Sequence, residues 1–215
     1  MTIRHLTREA AGEPDGALVL LHGRGADEHD LAPLLDAVDP DRRLVGVTPR
    51  GPLSLSPGGA HWYRLGGIGT PDAPSFEATY AGLTDWFDGL PEVTGVPLAR
   101  TVVGGFSQGC VMTYAMVYGP GRPPVAGAIC LSGFMPTVEG FELDLAAHGS
   151  MPVAIAHGRG DPVIGFEFGE AARTRLAAAG AEPVWLESEL GHTIDPRHLP
   201  AVRALVDGAL PPPAG

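Results

Sequence analysis

Residues 101–119 constrain the fold more than any other stretch of this chain. The stretch begins with a β-branched apolar run and continues after Ser107 with apolar residues at helical spacing. Gly105 and Gly109 flank the serine in a G-x-S-x-G pattern. A strand that runs directly into a helix forces a crowded turn, and glycine on both sides removes the side chains that would collide there. The stretch therefore predicts a serine hydroxyl exposed at the start of a helix, beside free N–H groups.

The motif alone is weak evidence. The chain has seven serines and 31 glycines in 215 residues. Glycines at both flanking positions therefore arise by chance in about one such chain in seven. The motif gains weight from the strand predicted before it, the helix predicted after it, and acid and histidine candidates that follow in a compatible order.

Short apolar runs alternate with helical patterns along almost the whole chain. Several of the runs are too continuous for strands with one face in water, so they predict buried parallel strands. These strands are expected at 17–22, 44–48, 101–106, 126–132, 153–157 and 183–187. Helices are expected at about 27–38, 76–90, 108–118 and 166–179, and from Asp195 onwards.

This order predicts an α/β fold, with a mostly parallel central sheet and helices on both faces. Right-handed crossovers then place the loops that follow the strands at one edge of the sheet, where ligands bind. At 215 residues, we expect a single domain over residues 1–215. The strands ending at 132 and beginning at 153 lie about 20 residues apart, which leaves no room for a cap domain.

Composition and charge exclude several functions. The net charge is −11 and the basic residues are dispersed, which disfavours nucleic-acid binding and stable membrane association. The N-terminus lacks the apolar core of a signal peptide, and no apolar run approaches the roughly 18 residues of a membrane span. We therefore expect a cytoplasmic protein, as a monomer or homodimer.

Two features that often indicate metal chemistry have simpler interpretations here. Cys110 and Cys130 lack metal-ligand spacing and are expected to be reduced core residues. On a helix, the acidic run at 27–30 would point in several directions, and acids in a first turn favour the helix dipole. We expect a solvated face there, with no metal and no cofactor.

A serine nucleophile needs a base, and the base needs an acid that holds it in one tautomer. Of eight histidines, His192 follows the last predicted strand in a loop that lies at the functional edge. His22 and His157 also end strands, but each is followed at once by glycine, which favours a role in a tight turn. His192 is therefore the predicted base.

The acid is predicted by the same reasoning. Asp161 follows the strand at 153–157 and precedes a helix. Asp195 lies three residues from His192, but the proline after it is typical of a helix cap. The chain order Ser107, Asp161, His192 is the nucleophile, acid, base order of the α/β-hydrolases.

Donors for an oxyanion are expected from two backbone N–H groups. One belongs to Gln108, the residue after the serine, and the other to Arg24, in the glycine-rich loop after the first core strand. Each such donor is worth about 10²–10³ in rate. The loop around Arg24 lacks the Lys-Ser/Thr of a P-loop and the third glycine of a dinucleotide fingerprint.

The segment 50–72 is too rich in glycine and proline for a regular element, and a loop this long is usually functional. It carries Trp62 and Tyr63. We expect an open, shallow site with Trp62, Tyr63 and Phe134 in its walls, although loop aromatics pack structurally more often than not.

Seven segments together resemble the phospholipase/carboxylesterase family of α/β-hydrolases, which includes the acyl-protein thioesterases. They read Leu-His-Gly-Arg-Gly, Pro-Arg-Gly-Pro, Trp-Tyr, Gly-Gly-Phe-Ser-Gln-Gly, Leu-Ser-Gly-Phe-Met-Pro, His-Gly-Arg-Gly-Asp-Pro-Val-Ile and Gly-His-Thr-Ile. The resemblance covers about residues 16–209. It implies a lidless serine esterase with a six- or seven-stranded sheet and with the catalytic residues named above. The eukaryotic thioesterases carry leucine where Arg24 stands, which implies a more polar acyl channel here.

The sequence thus predicts hydrolysis of small, mainly uncharged carboxylic esters, with thioesters or lysophospholipids as further substrates. The reaction would pass through an acyl-Ser107 intermediate that water, activated by His192, releases. Three alternatives stay open: an acyl-protein thioesterase activity, a catalytically silent binding role, and lyase or oxidative chemistry on the same scaffold.

Overall fold

The computed structural model describes residues 2–67 and 69–211. The strands, in chain order, are β1 (His5–Arg8), β2 (Gly16–Leu21), β3 (Leu44–Pro49), β4 (Leu53–Leu55), β5 (Gly59–His61), β6 (Leu65–Gly67), β7 (Thr70–Pro71), β8 (Thr101–Phe106), β9 (Gly127–Leu131), β10 (Val153–Gly158) and β11 (Val184–Ser188). The helices are α1 (Ala32–Val38), α2 (Ala73–Asp88), α3 (Leu90–Thr94), α4 (Gln108–Tyr118), α5 (Phe166–Ala178) and α6 (Leu199–Ala209). Short 3₁₀ turns lie at Leu98–Arg100, Ala146–His148 and Pro196–His198.

A seven-stranded sheet forms the centre of the molecule, in the order β1-β3-β2-β8-β9-β10-β11. All neighbours are parallel except β1, which pairs antiparallel with β3. The six predicted core strands are therefore confirmed. The hydrophobic pattern does not reveal β1, because this four-residue edge strand has no fully buried side chain.

The two faces of the sheet bury different side chains, which explains the continuous apolar runs. In β2, Leu18 and Leu20 pack toward α1 and α6, whereas Val19 and Leu21 pack toward α2, α4 and α5. A strand covered on both sides has no position that favours a polar residue. The edge strand β11 differs from the prediction, because most of its side chains are partly exposed.

Helix α4, which follows the serine motif, is the most deeply placed helix. Every residue of Gln108–Tyr118 is buried, so the helix has no polar face. It packs against β8, β9 and β2, and it ends at Gly119 as predicted. The start of this helix is thus fixed by packing on all sides. Cys110 in α4 and Cys130 in β9 are buried and not disulfide-bonded, as expected.

The ends of two other helices differ from the predictions. Residues 28–31 form a turn rather than the first turn of α1, and the Asp27 carboxylate accepts the backbone N–H of His29 at 2.9 Å. Before α6, Asp195 accepts the N–H of Arg197 as the predicted cap, but the turn that it caps is 3₁₀ and the α-helix begins at Leu199.

The segment 50–72 is not wholly irregular. It contains two short hairpins, β4 with β5 and β6 with β7, with two or three residues in each strand. Strands this short leave no readable period in the sequence, so the prediction of a loop without elements was wrong. None of the helices in the described part of the chain is both long and apolar enough to cross a bilayer.

Candidate active site

Ser107 lies in the sharp turn between β8 and α4. Its backbone has φ 55° and ψ −120°, a conformation that L-residues rarely adopt and that costs about 1–3 kcal/mol. A Cβ at Gly105 would lie 2.5 Å from the backbone of Gly109, and one at Gly109 would lie 2.1 Å from the carbonyl oxygen of Leu21. Both flanking glycines are therefore required by close contacts, and the pattern in the sequence has a steric cause.

The structure brings Ser107, His192 and Asp161 together in one chain of hydrogen bonds. The Ser107 Oγ lies 2.8 Å from Nε2 of His192, and Nδ1 of the same imidazole lies 2.7 Å from Oδ2 of Asp161. The three residues follow β8, β11 and β10 respectively, which end at the same edge of the sheet. A proton on Nδ1 donates to the carboxylate and leaves Nε2 free to accept the serine proton.

The Asp161 side chain is fully buried and well satisfied. Its Oδ1 accepts backbone N–H groups from Val163 at 2.8 Å and Ile164 at 2.9 Å. Burial by itself would raise the pKa of this carboxyl, but the hydrogen bonds from His192 and from the two N–H groups outweigh it. The pKa therefore lies below its ordinary value, and the carboxylate is ionised at neutral pH.

The backbone N–H groups of Arg24 and Gln108 have no acceptor among the described residues. Gln108 is the first residue of α4, where N–H groups lack intrahelical partners. Both residues border the same cavity as Ser107. The arrangement leaves donors available for an oxygen atom bound beside the serine.

The cavity beside Ser107 has a volume of about 240 Å³. It is bordered by Arg24, Tyr63, Leu65, Gly67, Gly69, Ser107, Gln108, Phe134, Val163, Ile164 and His192. Apolar surface makes up most of this lining, and Ser107, which is 8% exposed, borders the space. The sequence offered no reason to select Leu65, Val163 or Ile164, apart from their position in loops next to predicted site residues.

The three aromatic residues expected in the walls differ in their placement. Tyr63 and Phe134 border the cavity, but Trp62 does not. Trp62 is fully buried, and its indole N–H donates to the carbonyl oxygen of His22 at 2.8 Å. The prediction for Trp62 is therefore wrong, because this side chain lies outside the cavity and bonds to His22, at the start of the loop that contains Arg24.

The side chain of Gln108 has a second function that the motif did not predict. Its Oε1 accepts the backbone N–H of Trp62 at 2.8 Å, and its Nε2 donates to the carbonyl oxygen of Tyr63 at 2.7 Å. His22 adds a further link, since its Nε2 accepts the N–H of Gly51 at 2.9 Å. Burial lowers the pKa of His22, which favours the neutral ring that such an acceptor requires. These bonds hold the segment 50–64 against the turn that carries Ser107.

The acidic run at 27–30 is not a uniformly solvated face. Glu28 is buried, and its two carboxylate oxygens pair with Arg4 and Arg50, each at 2.8 Å. Oxygen and nitrogen atoms of Asp27, Glu28 and His29 come within 4.8 Å of one another, a spacing that a metal ion can bridge. The two guanidinium groups already occupy both oxygens of Glu28, so this cluster fits an ion-pair network better than a metal ion.

Comparisons with known proteins show what this chain is similar to. The sequence profile of the family described as Phospholipase/Carboxylesterase matches residues 5–208. "Putative hydrolase MhqD" of Bacillus subtilis is 30% identical, over 85% of this chain and 88% of that protein. "Acyl-protein thioesterase 1" of Debaryomyces hansenii is 25% identical, over 72% of this chain and 73% of its own length. The crystal structure of esterase PE8 superposes with a TM-score of 0.83 at 25% identity, covering 98% of this chain and 100% of that one. The expected α/β-hydrolase fold is confirmed.

Proposed function

This chain belongs to the phospholipase/carboxylesterase family of hydrolases, and we propose that it is a serine carboxylesterase that cleaves small carboxylic esters through an acyl-Ser107 intermediate. The observation that carries the proposal is the unbroken chain of hydrogen bonds from Ser107 through His192 to Asp161, at 2.8 and 2.7 Å. In this proposal Ser107 is the nucleophile, His192 the base and Asp161 the acid of a catalytic triad.

In the first half of the reaction, Oγ of Ser107 attacks the ester carbonyl carbon while its proton moves to Nε2 of His192. The carbonyl oxygen becomes an oxyanion and accepts hydrogen bonds from the free N–H groups of Arg24 and Gln108. When the tetrahedral intermediate collapses, the bond to the alcohol oxygen breaks and that oxygen takes the proton from His192. The alcohol leaves, and the acyl group stays on Ser107.

In the second half, water enters the place of the alcohol. Nε2 of His192 removes a proton from the water, whose oxygen attacks the acyl carbon, and the same N–H groups stabilise the second oxyanion. Collapse returns the proton to Oγ of Ser107 and releases the carboxylic acid. Asp161 stays ionised throughout, because its lowered pKa favours the carboxylate, and it stabilises the imidazolium formed in each half.

Replacement of the nucleophile tests the proposal most directly. Ser107→Ala is expected to lower kcat on p-nitrophenyl acetate and butyrate by about 10⁴-fold or more, because the remaining donors and binding contacts supply only residual catalysis. The matched control is Ser150→Ala, which removes an exposed hydroxyl outside the site and should leave kcat unchanged. Undiminished turnover by Ser107→Ala would refute the assignment.

Covalent labelling separates this proposal from a silent binding role. An alkyl fluorophosphonate should label the wild-type protein at Ser107 and fail to label Ser107→Ala. A protein that binds but does not react would show no label. Labelling without cleavage of any ester would indicate different chemistry on the same scaffold.

Thioester hydrolysis is a second candidate, which the relative named "Acyl-protein thioesterase 1" favours. The same nucleophile and oxyanion donors can attack a thioester carbonyl. Rates on butyryl esters and butyryl thioesters of matched leaving-group acidity would rank the two activities, with Ser107→Ala as the blank.

A further inference from the structure

The proposed reaction uses the backbone of Arg24 but leaves its guanidinium without a role. Arg24 borders the cavity beside Ser107, and its exposed side chain has no ion-pair or hydrogen-bond partner within the described residues. Aspartate and glutamate outnumber arginine in this chain by 25 to 14, and most of the arginines pair with a carboxylate. Those paired with a carboxylate are Arg4, Arg8, Arg42, Arg43, Arg50, Arg122, Arg159 and Arg197. A shortage of carboxylates therefore does not explain why Arg24 is unpaired.

The walls of the cavity do not neutralise this charge. Among the described residues that border it, none is an aspartate or glutamate. Asp161 lies behind His192 with a fully buried side chain, and its oxygens are already engaged by His192, Val163 and Ile164. Arg24 thus places one uncompensated positive charge at the edge of an otherwise mostly apolar cavity.

Another arginine, Arg64, lies near this edge, although Asp72 offsets part of its charge: hydrogen bonds with Ser75 are the main reason that the pKa of Asp72 is lowered, and attraction to Arg64 lowers it further. Arg64 also has no carboxylate within 4 Å among the described residues, and it directly precedes Leu65, which borders the cavity. The neighbouring His61 responds to both arginines: burial is the main reason that its pKa is lowered, and repulsion from Arg24 and Arg64 lowers it further. The two guanidinium charges therefore act on the same region of the protein.

On the basis of the proposed esterase function, we propose that Arg24 makes this site selective for esters that carry a carboxylate. The guanidinium would bind the substrate carboxylate, while the ester carbonyl lies between Ser107 and the free N–H groups of Arg24 and Gln108. A planar guanidinium suits this role because it can form two parallel hydrogen bonds to a carboxylate. This preference differs from the mainly uncharged esters that the sequence predicts.

The test compares charged and neutral esters in matched pairs. The carboxylate is on the acyl side in p-nitrophenyl hydrogen adipate, whose neutral partner is p-nitrophenyl hexanoate. It is on the alcohol side in 4-carboxyphenyl butyrate, whose neutral partner is 4-carbamoylphenyl butyrate. For each pair, the ratio of kcat/KM for the charged ester to that for the neutral ester is measured, with Ser107→Ala as the blank.

Arg24→Gln is expected to lower this ratio about tenfold for at least one pair, mainly through a higher KM, since one charge-assisted contact is lost. Arg24→Lys keeps the charge and should retain most of the ratio. The matched control is Arg175→Gln, which removes another exposed, unpaired arginine, on α5 and away from the cavity, and should leave the ratio unchanged. Added salt should lower the wild-type ratio and have little effect on that of Arg24→Gln.

If Arg24→Gln left the ratio of kcat/KM unchanged for both pairs of esters, the proposal that Arg24 selects carboxylate-bearing esters would be overturned. The esterase proposal would survive that result if wild-type protein still cleaved the neutral esters and Ser107→Ala did not. Failure of the wild-type protein to cleave any of the four esters would instead refute the esterase function, and the proposed selectivity with it. The two failures are therefore distinguishable.

Discussion

The two sides of the cavity beside Ser107 are held in place by different kinds of interaction. On one side, Ser107, Asp161 and His192 lie in loops directly after β8, β10 and β11, which belong to one parallel sheet. Backbone hydrogen bonds of the sheet fix where each loop begins. On the other side, Tyr63 belongs to the segment 50–72, whose short hairpins lie outside the central sheet.

The second side depends on side chains that bond to backbone groups. Gln108 bonds to Trp62 and Tyr63, and Trp62 bonds to the carbonyl of His22. Arg50 pairs with the buried Glu28 and donates to the carbonyl of Gly58 at 2.9 Å. A buried backbone group that loses such a partner costs about 1–3 kcal/mol. Single substitutions should therefore destabilise the second side, whereas substitutions on the first side should mainly reduce the rate.

The largest effect is expected from the acid on the first side. Asp161→Asn should lower kcat by about 10⁴-fold, because the neutral amide holds the wrong imidazole tautomer and does not stabilise an imidazolium. The measurement is kcat on p-nitrophenyl butyrate at saturating substrate. The control is Asp195→Asn, at the other aspartate close to His192. A loss of less than tenfold in Asp161→Asn would contradict the proposed role of Asp161.

An intermediate effect is expected where the two sides meet. Gln108→Ala leaves the N–H of Trp62 and the carbonyl of Tyr63 without partners, so the free energy of unfolding should fall by about 2–4 kcal/mol. The backbone N–H of residue 108 is retained. KM should therefore rise more than kcat falls, as Tyr63 loses its fixed position in the cavity wall. Urea denaturation and steady-state kinetics on p-nitrophenyl butyrate measure the two effects.

Gln108→Glu separates the two hydrogen bonds of this side chain. The carboxylate can still accept the N–H of Trp62, but it has no donor for the carbonyl of Tyr63, so its stability should lie below that of wild type. If Gln108→Ala were as stable as wild type and had an unchanged KM, the segment 50–64 would not depend on this side chain, and the contrast between the two sides would fail.

The sequence predicts the side of the cavity that is formed by loops after the sheet strands better than the side that is formed by the segment 50–72. Buried strands produce continuous apolar runs, so β8 and β10 and the loops after them can be located from residue types alone. Chain order and the handedness of crossovers predict Asp161 and His192 at one edge of this sheet. The glycines around Ser107 were recognised from the crowding of a strand-to-helix turn, and the contacts at Gly105 and Gly109 show that crowding.

The second side could not be predicted in the same way, because its contacts join residues far apart in the chain. The buried Trp62 is held by residues far away in the chain: Gln108, 46 residues away, accepts its backbone N–H, and His22, 40 residues away, accepts its indole N–H. Glu28 is buried because Arg4 and Arg50 reach it from 24 and 22 residues away. Neither contact produces a periodic pattern, so an acidic or aromatic residue in these loops has no local signal that reveals its burial.

The smallest effect is expected at Asp195, which lies close to His192 in the sequence but is not part of the proposed triad. Its carboxylate accepts the backbone N–H of Arg197, and the side-chain hydrogen bonds of Arg197 lower its pKa to about 2. Asp195→Ala should lower the Tm by about 2–4 °C at pH 7 through loss of the cap, with kcat changed less than twofold.

The pH dependence of that difference in Tm provides a sharper test. A lowered pKa means that the ionised carboxylate stabilises the folded chain above the unfolded pKa of 3.8, and that this contribution is lost as the pH falls toward 2. The difference in Tm between wild type and Asp195→Ala should therefore be constant from pH 7 to about pH 5 and shrink at lower pH. A large loss of kcat in Asp195→Ala, with little loss in Asp161→Asn, would reverse the two roles. It would mean that closeness in sequence, rather than position after a parallel strand, selects the partner of His192.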